Sequence, residues 1–262
     1  MTLNRHLMDL KSNGVAWGTL IAQYSGLLIS IWLFKKYYGR YLKHFQRSAM
    51  FELDALKKFF VVNKDILIRT LALIFAMSFF TTKSAETNDT ILAVNTLLFQ
   101  FFIFFSYFVD GFANAGKALA GRFIGADNKP DLKKVIRLIF IWGLGVSLCF
   151  TMVYGFGGSF LVGLMTSHED VLALAQSYLF WVAIIPFISF AAFLWEGIYI
   201  GATVSNHLRN SILFSLVFFL LIYYSTTSAF GNHGLWLSLT VFLAMRGIYL
   251  SLFARRSIFS LT

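Results

Sequence analysis

Long apolar segments alternate with short polar ones along almost the whole chain. Seven apolar runs are present, at residues 14–34, 66–82, 91–109 continuing to 126, 135–156, 171–203, 211–227 and 234–253. A helix needs about 20 mainly apolar residues to cross the hydrocarbon core of a bilayer. Each run is close to that length, and none shows the short alternating segments of a membrane β-barrel. The pattern predicts an all-α membrane protein with about seven transmembrane helices.

The composition agrees with a membrane location, so the lipid bilayer is the expected partner of most of the surface. Hydrophobic residues make up 58% of the 262 residues and charged residues 13%, whereas soluble domains carry about 25% charged residues. The net charge of +10 is spread over the loops between the apolar runs, so it indicates topology and does not predict a nucleic-acid partner. Cys149 is the single cysteine, which excludes a disulfide within the chain.

Basic residues concentrate in alternate loops. Lysine and arginine are frequent between residues 35 and 47 and between 122 and 137, and they recur at 209 and at 255–256. The other loops, at 83–89, 166–170 and 228–233, together contain one lysine and several acids. The positive-inside rule places the basic loops and the C-terminus in the cytoplasm and residues 1–13 outside. An odd number of spans with an external start leads us to expect further spans upstream.

The segment between the first two runs has mixed character. In residues 50–62 apolar positions recur at roughly helical spacing among charged ones, which predicts an amphipathic helix on the cytoplasmic surface. The alternative is a plain connector with a solvated charged face. The predicted organisation is an external N-terminus and first span at 1–34, a basic loop and amphipathic linker at 35–65, and a six-helix bundle at 66–262.

Charged residues within membrane spans are costly and commonly functional. Four candidates occur in the apolar runs: Asp110, Lys117, Glu196 and Arg246. Asp110, Asn114 and Lys117 fall on one helical face, so this stripe is predicted to face protein or water and not lipid. The stripe either lines a functional cavity that takes part in ion coupling or belongs to a structural network near the cytoplasmic end.

Glu196 lies late in the fifth run, ten residues after Pro186. The proline removes one backbone hydrogen bond and is predicted to kink the helix. Glu196 would then be an inward-facing acid on a moving helix, able to exchange protons. The alternative is an ion pair with a basic residue such as Arg209 or Lys117.

Two further features concern packing and exposure. Gly197 and Gly201 have small-xxx-small spacing, which predicts a close approach of a second helix. Arg246 lies about two turns from the cytoplasmic end of the last run and is predicted to snorkel toward the interface.

Catalytic and metal-binding motifs do not accompany these charges. The sequence lacks P-loop, HExxH and GxSxG patterns, and no pair of histidines has metal-ligand spacing. We therefore predict neither an enzyme nor a resident metal or cofactor.

Three segments resemble MATE (multidrug and toxic compound extrusion) transporters, most closely their DinF-like branch. Residues 94–134, which contain DGFANAGKALAGRFIGA, resemble the eighth helix of the family and the loop after it. Residues 186–211 (PFISFAAFLWEGIYIGATVSNHLRNS) resemble the tenth helix, and residues 14–34 resemble the sixth. The resemblance covers essentially the whole chain. Lys117 and Glu196 depart from it, because the family leads us to expect an acid and an aspartate there.

The resemblance implies a fold and a function. Family members have twelve helices in two bundles, so this chain corresponds to the sixth helix, the linker and the complete C-terminal bundle. The expected protein is a truncated half, with the N-terminal bundle missing and supplied in cis or in trans. The implied activity is export of organic cations and drugs across a bacterial cytoplasmic membrane, in exchange for protons or sodium ions.

Two other functions stay open. A lipid-linked oligosaccharide flippase of the same superfamily would need a strongly cationic cavity, for which Lys117 and Arg246 alone give weak support. A non-transporting membrane scaffold or partner subunit would leave Glu196 and Asp110 as paired structural residues.

Overall fold

The computed structural model describes residues 2–42 and 53–260, which form seven α-helices and no strand. The helices are α1 (Thr2–Leu42), α2 (Leu53–Thr87), α3 (Asp89–Gly125), α4 (Lys129–Met165), α5 (Glu169–Gly201), α6 (Ser205–Phe230) and α7 (Asn232–Ser257). The prediction of an all-α membrane protein is confirmed.

Six of these helices contain segments long and apolar enough to cross a membrane. They are the segment Trp17–Gly39 of α1 and the whole of α3, α4, α5, α6 and α7. The apolar run at residues 66–82, which lies in α2, predicted a further span, but α2 is not among these six helices. Its apolar run is bounded by Asp65 and Lys83 and contains Arg69.

The chain divides into two compact units, residues 1–57 and 58–262. In the first unit, α1 carries large apolar side chains that are exposed, among them Trp17, Tyr24 and Trp32. Residues 50–52 of the expected amphipathic linker lie outside the described residues. From Leu53 onward the linker sequence is continuous with α2, so no helix break separates it from the apolar run.

The second unit is a helical bundle centred on α5, which packs against α3, α4, α6 and α7. Its core is rich in fully buried aromatic side chains, including Phe105, Tyr199, Phe219, Trp236 and Phe242. Large apolar side chains such as Phe156 and Leu252 are also exposed on its outer surface. Hydrocarbon solvates such a surface, so the helices associate through close packing and polar contacts.

The tightest helix crossing joins α3 and α5. A side chain at Gly197 would overlap the carbonyl oxygen of Ala113, and one at Gly201 would overlap that of Lys117. The two backbones can approach this closely because both positions lack a Cβ atom. The close packing expected from the glycine spacing is confirmed, and it sets the position of Glu196 against α3.

A neutral hydrogen-bond network joins α2, α3 and α7 near the α2–α3 turn. The side-chain amide of Asn95 donates to Ser84 Oγ (2.7 Å) and to Asn232 Oδ1 (2.7 Å). Its oxygen accepts from Asn232 Nδ2 and from Trp236 Nε1, each at 2.9 Å. All donors and both acceptor positions of this buried amide are therefore used. We refer to Ser84, Asn95, Asn232 and Trp236 as the amide network.

Candidate functional site

Four charged side chains from four helices line one cavity of about 300 Å³ in the second unit. Arg69 comes from α2, Asp110 from α3, Glu196 from α5 and Arg246 from α7. The remaining wall consists of the apolar residues Leu73, Met77, Phe99, Phe102 and Phe193 together with the polar Ser106. We call this site the charged cavity. Its two carboxylates and two guanidinium groups have no net charge when all are ionised.

Glu196 is bound by both arginines. Arg246 Nη2 donates to Glu196 Oε2 at 2.5 Å, and Arg69 Nη2 pairs with the other oxygen, Oε1. The side chains of Arg246, Arg69 and Glu196 are 5%, 15% and 19% exposed. The Arg246 guanidinium also lies 5.8 Å from the centre of the Phe242 ring, a favourable distance for a cation–π contact. The carboxylate is thus held on both sides by charge-assisted contacts.

Asp110 lines the same cavity but differs from Glu196 in its contacts. It is half-buried and lies near both arginines, which act on it electrostatically. Among the described residues, it takes part in no hydrogen bond and no ion pair. Its carboxylate is therefore available to the cavity, whereas that of Glu196 is fully engaged.

One expectation about these charges is wrong. Arg246 does not snorkel, because its side chain is buried in an ion pair with Glu196. Glu196 does pair with basic residues, as the alternative interpretation had it, but they are Arg69 and Arg246 and not Arg209 or Lys117. Arg209 instead binds the buried Asp65 of α2 at 2.5 Å.

The structure separates the polar stripe that the sequence placed on one face of α3. Asp110 lines the charged cavity, but Asn114 and Lys117 are exposed and do not line it. At a rise of about 1.5 Å per residue, Asn114 and Lys117 lie about 6 and 10 Å further along the helix axis than Asp110, so they share its face but lie beyond the end of the cavity. Asn114 and Lys117 remain candidates for a role outside this cavity.

Pro186 is buried within α5, which is helical without interruption from Glu169 to Gly201. The proline leaves one carbonyl of the preceding turn without its usual partner. A kink at this position stays a prediction.

The sequence reasoning missed Arg69. It is the one charged residue within the apolar run at 66–82, and the cost of a charge at membrane depth could have identified it. No cluster of three or more His, Cys, Asp or Glu side chains suited to a metal ion occurs in the described part of the chain. Chemically, the cavity can exchange a proton or bind a small ion or polar group.

Comparison with known proteins identifies the family. The MatE family model matches residues 66–225, which is more than half of the chain. DNA damage-inducible protein F of Escherichia coli is 35% identical over 255 residues, covering 95% of this chain and 54% of that protein. Protein DETOXIFICATION 42 of Arabidopsis thaliana is 27% identical over 69% of this chain and 35% of its own length. The chain thus spans about half the length, or less, of these relatives.

Solved structures show the same fold. A MOP superfamily transporter from Pyrococcus furiosus superimposes with a TM-score of 0.68 at 17% identity, covering 78% of this chain and 46% of that one. An outward-facing multidrug resistance MATE family transporter gives a TM-score of 0.67 with the same coverage. This chain belongs to the MatE family, the multidrug and toxic compound extrusion transporters.

Proposed function

We propose that the chain forms one bundle of a cation-coupled transporter that exports organic cations across a bacterial cytoplasmic membrane. Family membership supports this proposal, as does the similarity to a protein described as a multidrug resistance transporter. In this proposal α2 also crosses the membrane, and the C-terminus faces the cytoplasm. Proton or sodium antiport would drive export.

The observation that carries the proposal is the charged cavity. It brings together four ionisable groups, three of them on α3, α5 and α7, which are long and apolar enough to cross a membrane. A charge at the centre of a membrane helix costs about 2.5–3.5 kcal/mol on the insertion scale, and such groups mark substrate and ion pathways. A cavity closed off by apolar residues would be the less costly arrangement if the bundle only had to be stable.

A second bundle, in cis or in trans, would complete the transport pathway. Alternating access moves one bundle against another around a central site. Asn114 lies exposed in the span formed by α3, one turn from the exposed Lys117. Polar groups at membrane depth are tolerated where they face protein or water, so this side of α3 is the face that we assign to the second bundle.

The charge of the cavity argues against the oligosaccharide flippase. A lipid-linked diphosphate needs a site with excess positive charge. Here Glu196 and Asp110 offset the two arginines, Arg69 and Arg246. The cavity as a whole is neutral, which suits ion exchange better than capture of a polyanion.

Dye efflux tests the proposal. The chain is expressed in bacteria deficient in drug exporters, alone and together with the first five helices of the Escherichia coli relative. We expect export of a cationic dye when both parts are present, and a large loss of export on Glu196→Gln. Glu169→Gln is the matched control, because Glu169 lies exposed in the first turn of the same helix and should leave export unchanged.

The scaffold alternative makes a different prediction for the same cells. The transport proposal is wrong if the chain inserts stably together with the first five helices of the relative and yet exports no dye. It is also wrong if Glu196→Gln has no effect on export. Membrane fractionation of each variant establishes that insertion is equal.

A further inference from the structure

We propose that Asp110 is the group in the charged cavity that takes up and releases a proton, whereas Glu196 remains ionised as the fixed counter-charge of Arg69 and Arg246. This inference rests on the proposed transport function and names the residue that couples it to protons. It assigns different roles to two carboxylates that share one cavity.

The contacts of Glu196 oppose protonation. Each of its oxygens is bound by a different arginine, Oε1 by Arg69 and Oε2 by Arg246. A proton on either oxygen would remove the negative charge with which both guanidinium groups pair. Arg246 is almost completely buried and would then lack its partner, which is among the costliest changes a protein interior can undergo.

Asp110 can change its protonation state without breaking a contact. In the part of the chain that the structure describes, it makes no hydrogen bond and no ion pair, and it is half-buried beside open space. The charged groups that face it are Arg69 from α2, Glu196 from α5 and Arg246 from α7, and α4 contributes no residue to the cavity wall. Because Glu196 offsets one guanidinium, the other balances an ionised Asp110.

Protonation of Asp110 therefore switches the charge of the cavity from zero to plus one. The protonated, positively charged cavity attracts a cationic substrate less strongly than the neutral cavity does, and exchange of a proton for a cation requires this difference. A cation and a proton on Asp110 would exclude one another, because both compete for the same single negative charge.

The cavity suits a proton better than a sodium ion. Hard metal cations are bound by several oxygen ligands. Both oxygens of Glu196 already contact arginines, which leaves Asp110 as the other carboxylate that lines the cavity. Two guanidinium groups also repel a metal cation, whereas a proton binds covalently to a single carboxylate oxygen.

A second, smaller pocket lies on the side of the charged cavity toward the α2–α3 turn. Phe99 lines both the charged cavity and a smaller pocket of about 110 Å³. Thr81, Ser84, Asn95, Thr96 and Gln100 contribute polar groups to this second pocket. All of them lie nearer to the α2–α3 turn than Arg69 and Asp110 do. The centre of the Phe99 ring lies 5.3 Å from that of Phe102, and Phe99 is the residue that the two pockets share.

Infrared difference spectroscopy tests the assignment without requiring transport. The purified chain in lipid nanodiscs is compared in acidic and alkaline buffer, and the C=O band of a protonated carboxyl group is followed. We expect one such band from within the bundle. The frequency of this band should shift when the side-chain carboxyl group of aspartate, but not that of glutamate, is labelled with carbon-13.

Variants identify the residue. The band should disappear in Asp110→Asn and persist in Glu196→Gln. Asp89→Asn is the matched control, because Asp89 lies exposed at the first position of the same helix, and it should leave the band unchanged. The isotope shift in the unmodified chain keeps the assignment testable if a variant fails to fold.

Several results would overturn the inference. They are a band that responds to glutamate labelling, a band that survives in Asp110→Asn, or a band abolished by sodium ions at constant pH. If the cells export dye but the aspartate band is missing, the coupling assignment fails while transport stands. If the band behaves as expected but no dye is exported, the transport proposal fails instead.

Discussion

The bundle contains two polar clusters of opposite character, the amide network and the charged cavity. In the amide network every hydrogen-bonding group of Asn95 has a partner, and Asn95 is 1% exposed. In the charged cavity one carboxylate is bound by two arginines, and the other has no hydrogen bond or ion pair to any described residue. The first cluster is complete and neutral, so neither pH nor an ion can change it. The second is incomplete and charged, so it can respond to both.

The comparison shows how polar residues in a membrane bundle can be separated by role. A buried group with all its hydrogen bonds satisfied stabilises one arrangement of helices. An ionisable group with an open side, held beside fixed charges, is poised to change state. Both clusters join α2, α3 and α7, so this difference arises from side-chain chemistry and not from the choice of helices.

The largest effect on stability is expected from Glu196→Gln. This change leaves Arg69 and Arg246 without their common counter-charge, and loss of one partner of a buried ion pair costs about 3–5 kcal/mol. Unfolding in detergent should show a loss of that order, with Glu169→Gln close to the unmodified chain. A loss no larger than that of the control would contradict the paired role of Glu196.

Gly197→Ala should break the charged cavity while sparing the amide network. The added methyl group would overlap the backbone carbonyl of Ala113, and overpacking of this kind costs about 1–3 kcal/mol. We expect lower thermal stability and impaired export. Gly145→Ala is the control, since a Cβ atom there meets nothing within 4 Å. Equal behaviour of the two variants would rule out the tight α3–α5 crossing.

Asn95→Ala should weaken the amide network without changing ion exchange. It removes the hydrogen bonds to Ser84, Asn232 and Trp236, and interhelical bonds in membranes average about 0.6 kcal/mol each. The expected loss of stability is about 2 kcal/mol, measured by thermal unfolding. The infrared band assigned to Asp110 should remain. Its disappearance would show that the two clusters are coupled.

Asp110→Asn should have the smallest effect on stability and a large effect on function. Because Asp110 makes no hydrogen bond or ion pair among the described residues, the change should lower the unfolding free energy by less than any of the three changes above. Proton-driven dye export should nevertheless be lost, while Asp89→Asn exports normally. A marked loss of stability would indicate that Asp110 is a structural partner of the arginines.

A final experiment places the two clusters relative to the membrane. Its substitution removes the N-cap hydrogen bond that Asn88 Oδ1 accepts from the amide of Ile91, so a loss of stability of about 1 kcal/mol is expected. Asn88 lies exposed at the α2–α3 turn, beside the amide network, and the loop charges assign this turn to the outside. In a Cys149→Ser background, Asn88→Cys should react with a membrane-impermeant thiol reagent in intact cells. Labelling that occurs only after lysis would show that this turn lies in the cytoplasm, which is the opposite of the assigned topology.

Several features followed from the sequence alone. Six of the seven predicted spans are among the helices long and apolar enough to cross a membrane, because such spans depend on local sums of hydropathy and on residue spacing, which are properties of short segments. The cost of charge in hydrocarbon identified Asp110 and Glu196 as the acids to examine. The spacing of Gly197 and Gly201 indicated the close helix crossing that the structure contains.

The pairing of side chains was decided only by the tertiary structure. Glu196 and Arg246 are 50 residues apart, and Asn95 and Asn232 are 137 apart. Which of them meet depends on the rotation and depth at which each helix crosses its neighbours, and hydropathy does not encode those variables. The glycine contacts between α3 and α5 set that crossing, so packing placed Glu196 between two arginines and left Asp110 free to face the cavity.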